Sequence, residues 1–209
     1  GHVTGVQTCA LPISGVLAVA SSVDDGTVSQ ALRISQPDDI AGLYQCVEGS
    51  FTRPLSEAGT VTGRIVQADP ALACEALVNA GSLKGRVALI DRGTCFFTEK
   101  IRRIQSAGAL AVIVVNNVDG DPIVMGAAGD TADIVIPGAM ISMADGERIK
   151  ARIGKAPVAT LSSDTQIVHR ERADEISIAS ARGPTHPAYR LKPDLAAPGE
   201  SILSALTGS

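Results

Sequence analysis

Nucleophilic hydrolysis needs a Ser, Cys or Thr beside a base, a group that orients the base, and donors for the developing oxyanion. The chain has three histidines to offer as bases: His2, His169 and His186. His169 precedes a run of charges, and His186 stands in a loop between Pro184 and Pro187. No Gly-x-Ser-x-Gly turn is present, and Gly199-Glu200-Ser201 lacks its closing glycine. Ser209 has no Met-Ala after it and reads as an ordinary serine. A metal site needs several converging ligands. Asp119, Asp121, Asp130 and Asp133 are the candidates for calcium, but their turn-rich setting reads as solvated surface, so no metal or other cofactor is assigned. The four cysteines form no Cys-x-x-Cys pair, which argues against zinc and dithiol redox motifs. What remains is the Arg92-Gly93 turn, where Arg92 either makes an ion pair or binds a ligand.

That turn closes the first strand of the best-defined stretch of the chain, Gly85 to Asn117. Arg86 to Ile90 is a short β-branched run ending at Asp91 and Gly93. Thr98 to Ala107 places Ile101, Ile104 and Ala107 on one helical face, with Lys100, Arg102, Arg103 and Gln105 on the other. Gly108 stands where a glycine would end that helix. Ala109 to Val115 is an unbroken apolar run of strand length, as expected for a strand covered on both faces. Strand, helix and strand in this order favour a parallel pair with a crossover helix.

The same residues carry a resemblance. Lys84-Gly85-x-Val87-Ala88-Leu89-Ile90-x-Arg92-Gly93-x-Cys95-x-Phe97, then Lys100, Ala107-Gly108-Ala109 and Val112 to Asn117, is similar to the protease-associated domain. That module is inserted in or attached to many secreted peptidases and some sorting receptors. Asp130 to Lys150 fits the same pattern, with Ile136-Pro137 and Ile141-Ser142 ahead of a short helix. A second resemblance flanks the first. Gly15 to Ser22, GVLAVASS, is similar to the strand that follows the oxyanion asparagine in subtilisin-like serine proteases. Ser180-Ala181-Arg182-Gly183-Pro184 and Lys192-Pro193-Asp194-x-x-Ala197-Pro198-Gly199 resemble the segment just before that family's catalytic serine. In that family's order the Asp, His and oxyanion Asn precede Gly15 and the Ser follows Gly199, so all four are expected outside this chain. Lys192, Pro193, Asp194, Pro198 and Gly199 then set backbone near a site rather than act in it.

The resemblances imply an α/β (α+β) chain in four parts. Residues 1–14 read like a translated sequencing adaptor and are set apart from the fold. Residues 15–40 and 173–209 are strand fragments of a subtilisin-like catalytic domain. Residues 45–165 are the protease-associated domain: strands, a βαβ unit and two or three short helices. Within it, Thr60 to Ala68 alternates like a strand. Ala71 to Ala80 suggests a short helix, with Asp69 as cap and Pro70 at its first position. Ile134 to Ile136, Ala139 to Ile141 and Val158 to Leu161 are strand pieces. Ser142 to Asp145 resembles a capping box opening a helix over Ala144 to Ile153 that Gly154 ends. Ser29 to Ser56 reads as linker with short strands, and Arg170 to Glu175 as a charged boundary. The resemblance to bacterial relatives also implies a Cys74–Cys95 disulfide, with Cys46 unpaired or paired elsewhere.

Composition sets the limits. Apolar residues make up 45% of the 209 and aromatics only 2%, so the core must be Val, Ile, Leu and Ala. A net charge of −4 without a basic patch argues against nucleic acid, and no apolar run approaches the roughly 18 residues of a membrane span. The function expected is that of a piece of a secreted subtilisin-like serine endopeptidase whose inserted domain modulates access of polypeptide substrates or protein partners. The alternatives are a non-catalytic, sorting-receptor-like binding protein and a zinc aminopeptidase bearing the same module. Deletion of residues 1–14 is expected to leave the melting temperature within error in a thermal scan; a drop of several degrees would place those residues in the fold.

Overall fold

The computed structural model describes residues 18–23, 27–170, 175–176, 180 and 193–200. These fall into two compact units, one spanning Val28–Ile167 and the other formed by the residues up to Thr27 and from Val168 onward.

The larger unit is a closed barrel of seven strands. In chain order they are β2 (Thr27–Gln36), β3 (Gly42–Glu48), β4 (Val61–Gln67), β5 (Val87–Asp91), β6 (Ala111–Val115), β7 (Gly138–Ile141) and β8 (Val158–His169). Around the barrel the order is β2-β3-β7-β6-β5-β4-β8. The pairs β4–β5, β5–β6 and β6–β7 are parallel, whereas β2–β3, β3–β7 and β4–β8 are antiparallel. Four helices accompany the strands: α1 (Leu55–Ala58), α2 (Ala80–Leu83), α3 (Phe97–Ser106) and α4 (Met143–Lys150). The fold is mixed α+β, mostly strands with a few short helices.

The apolar runs are explained by burial on both faces. Side chains alternate along a strand, and here alternate residues enter two separate cores. Val87 and Leu89 of β5, Ala111, Ile113 and Val115 of β6, and Ala139 and Ile141 of β7 fill the barrel with Leu32, Ile34 and Leu161. Ala88, Ile90, Val112, Val114 and Met140 face outward and pack with Ile101 and Ile104 of α3. Gly108, with φ +79°, ends α3 in the left-handed region. Cys46 lies free inside the barrel, where burial pushes its thiol up to about 12.

Several readings of the sequence are corrected. Ser29 to Ser56, read as linker with short strands, is mostly strand and not linker: it holds nearly all of β2 and the whole of β3, two walls of the barrel. Strand β8 runs to His169, well past Leu161. Ile134 to Ile136 is not a strand. Its backbone bonds go to a turn, a neighbouring loop and a side chain: the Ile134 N–H donates to the Thr131 carbonyl at 3.0 Å, the Ile136 carbonyl accepts the Arg53 N–H at 3.2 Å, and the Val135 N–H donates to Gln105 Oε1 at 2.8 Å. Ala71 to Ala80 is a series of turns, and only Ala80–Leu83 is helical. Helix α4 stops at Lys150, and the left-handed residue beyond it is Ala156 (φ +58°) rather than Gly154. Its start is as read: the Asp145 N–H donates to Ser142 Oγ at 3.1 Å, and the Ser142 hydroxyl donates to Asp145 Oδ2 at 2.9 Å.

The smaller unit pairs β1 (Val19–Val23) in parallel with β9 (Leu195–Glu200), Val19 opposite Leu195 and Ser21 opposite Ala197. The readings on residues 1–14, Ala181 to Pro184, His186, Lys192 and Ser209 lie outside the described residues.

Gly146 supplies a test of the packing of α4. A Cβ at that position would lie 2.1 Å from a methyl carbon of Val115. Gly146→Ala is therefore expected to destabilise by about 1–3 kcal/mol, although alanine is the better helix former. In a double-mutant cycle read by urea unfolding, Val115→Ala is expected to recover part of that loss, a coupling of about 1 kcal/mol. A stabilised Gly146→Ala variant would show that the two positions do not meet.

Candidate functional site

The parallel strands β5 and β6 end side by side, and the side chains read as candidates gather at those ends. The Arg92 N–H donates to the Val115 carbonyl at 2.8 Å, and Arg92 Nη1 donates to Asn116 Oδ1 at 2.8 Å. Asn116 is buried, and its Oδ1 also accepts the Asn117 N–H at 2.9 Å. Arg92 thus binds the turn after β5 to the turn after β6. Lys150 reaches this turn from α4, with Nζ 2.8 Å from Asp91 Oδ1. Gly93 lies against Leu72: a Cβ there would stand 2.5 Å from a Leu72 methyl, so a larger residue would make that side chain shift.

Leu72 belongs to the turns that precede β5, and their geometry is set by three successive carbonyls. The Ala71 carbonyl accepts the Asp91 N–H at 2.8 Å, the Leu72 carbonyl accepts Lys100 Nζ, and the Ala73 carbonyl accepts Arg103 Nη1 at 3.2 Å. Carbonyls committed to β5 and α3 are not free to build a helix, which is why Ala71 to Ala80 is not one. A disulfide between Cys74 and Cys95, with Cα atoms 5.7 Å apart, fixes the far end of the turns to the loop that leads into α3.

Lys100 was misread from the sequence. It was placed on the solvent face of α3, yet it is 0% exposed, the one charged side chain buried among the described residues. Its Nζ donates to the Leu72 carbonyl, to the Asp91 carbonyl at 3.1 Å and to Cys74 Sγ at 3.3 Å. Burial pulls its pKa below the ordinary lysine value; the Asp91 charge opposes this and Arg103 adds to it. The only signal in the sequence was its fixed place in the protease-associated pattern, because helical spacing counts every lysine as polar.

The acidic loop residues do not converge. Asp133 is taken by Arg102 at 2.7 Å, and Asp130 Oδ1 accepts the Ala132 N–H at 3.1 Å. Among the described residues no three His, Cys, Asp or Glu side chains are placed to hold a metal, and no helix is long and apolar enough to cross a membrane.

In the smaller unit, Asp194 joins the two strands at their start. Its Oδ2 accepts the Ala18 N–H at 2.8 Å, and its own N–H donates to the Ala18 carbonyl at 2.8 Å. Gly199 sits against Ser21, where a Cβ would stand 2.6 Å from the hydroxyl oxygen. Pro193 immediately precedes this pairing, and Pro198 stands opposite Ser22, next to the shift in register at Ser22/Val23.

Residues 61–149 match the family model of the PA domain, and that segment is a PA domain. The match runs from β4 to α4, while β2, β3 and β8 of the barrel lie outside it. The chain is 28% identical over 124 residues to the minor extracellular protease Vpr of Bacillus subtilis, covering 59% of this chain and 14% of that protein. It is 34% identical over 150 residues to vacuolar-sorting receptor 2 of Arabidopsis thaliana, covering 64% of this chain and 24% of that one. The chain thus spans under a quarter of the length of these relatives. Among solved structures it is similar to BSAP, a zinc aminopeptidase from Bacillus subtilis, with a TM-score of 0.49 and 22% identity over 71% of this chain and 34% of that one.

The depressed pKa of Lys100 gives a signed pH test. Its folded value lies below its unfolded one, so between the two the unfolded state binds more protons and stability rises with pH. Relative to Lys100→Met, the wild type is expected to gain stability between neutral pH and about 10.4, the ordinary lysine value. Paired urea titrations across that range measure the difference; a flat or falling difference contradicts the assignment.

Proposed function

We propose that this chain is the part of a secreted subtilisin-like serine endopeptidase that carries its PA domain as an insertion. In this reading the PA domain shapes the access of polypeptide substrates or contacts with protein partners. The observation that carries it is the parallel pairing of β1 with β9. These strands lie on opposite sides of the barrel in sequence, and each bears one half of the subtilisin-like resemblance. The motif residues make the contacts that join them, Asp194 through the Ala18 backbone and Gly199 through its close approach to Ser21. Similarity to an extracellular protease supports a secreted peptidase, and the Cys74–Cys95 bond suits an oxidising compartment.

A second reading, a non-catalytic binding protein, draws on the similarity to a vacuolar-sorting receptor. It gives no account of why Leu195 to Glu200 should form a strand on β1. In the subtilisin-like reading the triad and the oxyanion Asn lie outside this chain, and hydrolysis is the work of the longer protein.

Two measurements test the proposal. The chain alone is expected to hydrolyse no generic peptide substrate and to take no label from a serine-directed fluorophosphonate. Labelling of a serine in it would place the nucleophile here. Reading the neighbouring coding sequence on both sides is expected to reveal Asp, His and Asn upstream and a Gly-Thr-Ser-Met-Ala-like motif downstream. A downstream set of zinc ligands, or a sequence with no catalytic residues, would overturn the subtilisin-like assignment.

A further inference from the structure

Lys100 Nζ has three acceptors around it: the Leu72 carbonyl, the Asp91 carbonyl at 3.1 Å and Cys74 Sγ at 3.3 Å. Three acceptors call for three N–H donors, which is the ammonium and not the neutral amine. Two of those donors meet full carbonyl acceptors. The third meets a disulfide sulfur, a weak acceptor. If the Cys74–Cys95 bond opens, the same N–H faces a thiolate at Cys74, and a poor contact becomes a charge-assisted one between a buried lysine and a half-exposed cysteine. Thr94 Oγ1, 3.6 Å from Cys74 Sγ, is a further contact on the same sulfur. The charges that bear on Lys100 are Asp91, which favours its ammonium form, and Arg103, which opposes it. A lysine beside a cysteine lowers the thiol pKa, and a disulfide whose reduced form is stabilised is reduced more readily. Both cysteines are half-exposed, so a thiol can reach the bond.

We propose that Cys74–Cys95 is a thiol-exchange site, in which Lys100 holds Cys74 as the leaving thiolate and an external dithiol attacks the Cys95 sulfur. The attacking thiolate forms a bond to Cys95 Sγ as the bond from Cys95 Sγ to Cys74 Sγ breaks, and the electron pair stays on Cys74 opposite the Lys100 ammonium. The second thiol of the dithiol loses its proton to solvent and attacks its partner sulfur in the mixed disulfide. That closes the dithiol's own disulfide and releases Cys95 as a thiolate, which takes up a proton. Two electrons pass from dithiol to protein. The covalent tie between the turns carrying Leu72 and the loop at Arg92-Gly93 is then lost.

The test uses the full chain equilibrated in graded ratios of reduced to oxidised dithiothreitol, with the reduced fraction read by maleimide mass shift at mapped cysteines. The equilibrium constant for reduction is expected to fall about tenfold in Lys100→Met, a midpoint about 30 mV more negative; equal midpoints overturn the proposal. Two measurements on the unaltered chain keep the test independent of how that variant folds. In the reduced chain, the pH dependence of iodoacetamide alkylation is expected to put Cys74 clearly below the free-cysteine value of about 8.5, whereas a value at or above it overturns the proposal. With glutathione as the attacking thiol, peptide mapping after acid quench is expected to find the mixed disulfide on Cys95; a mixed disulfide on Cys74 overturns the leaving-group assignment.

Discussion

A buried ammonium in an otherwise aliphatic domain is the constraint from which the geometry around β5 follows. A charge removed from water must be met by acceptors at hydrogen-bond distance, or the native state pays several kcal/mol. The protein meets the charge on Lys100 Nζ with two backbone carbonyls and a sulfur. The carbonyls of Leu72 and Asp91 point at it, and the carbonyls of Ala71 and Ala73 on either side are committed to β5 and α3 in the same way. The turns between β4 and β5 therefore lie flat against the domain. They carry Leu72 onto Gly93 and bring Cys74 within bonding reach of Cys95. Arg92, Asn116 and the Asp91–Lys150 pair complete the same end of the sheet.

The core solves a different problem, how to build a barrel with almost no aromatic side chains. Strands β5, β6 and β7 are buried on both faces, so each apolar residue along them is used, odd positions inside the barrel and even positions beneath α3. Small residues do the rest. Gly138 would clash with Val112 and Thr52 if it carried a side chain, and Gly146 with Val115. Close approach of this kind replaces the area that aromatic rings would otherwise bury, since packing to full density is itself stabilising.

What could be read in the sequence followed from how local its cause was. The β5–α3–β6 unit was clear because periodicity, a terminal glycine and an unbroken apolar run all agreed. The Ser142 cap was clear because it depends on four adjacent residues. The turns over Ala71 to Ala80 were not, because Ala and Leu favour helix and only partners 20 to 30 positions away withhold the carbonyls. Ile134 to Ile136 looks like a strand because β-branching marks burial as well as pairing, and the Thr131 carbonyl, the Arg53 N–H and Gln105 supply the bonds instead. Lys100 at the heart of the site was hidden by its residue type, which is nearly always solvated. Strand β2 is hidden in a stretch that reads as linker with short strands, because its polar residues, Ser29, Gln30 and Arg33, mask an inward set of Leu32 and Ile34.

The pairing of β1 with β9 has a consequence for modularity. Parallel neighbours cannot be joined by a tight hairpin; they need a crossover of a dozen or more residues. Any such crossover is a permitted point of growth, because the entropy of closing a loop rises only with the logarithm of its length. Residues 28–167 occupy that crossover as a self-contained barrel with its own core. The chain outside them is still longer than the crossover minimum of about a dozen residues, so closing the strand pair does not by itself call for the barrel. The length of what is inserted there is limited only weakly, through the entropy of closing the loop.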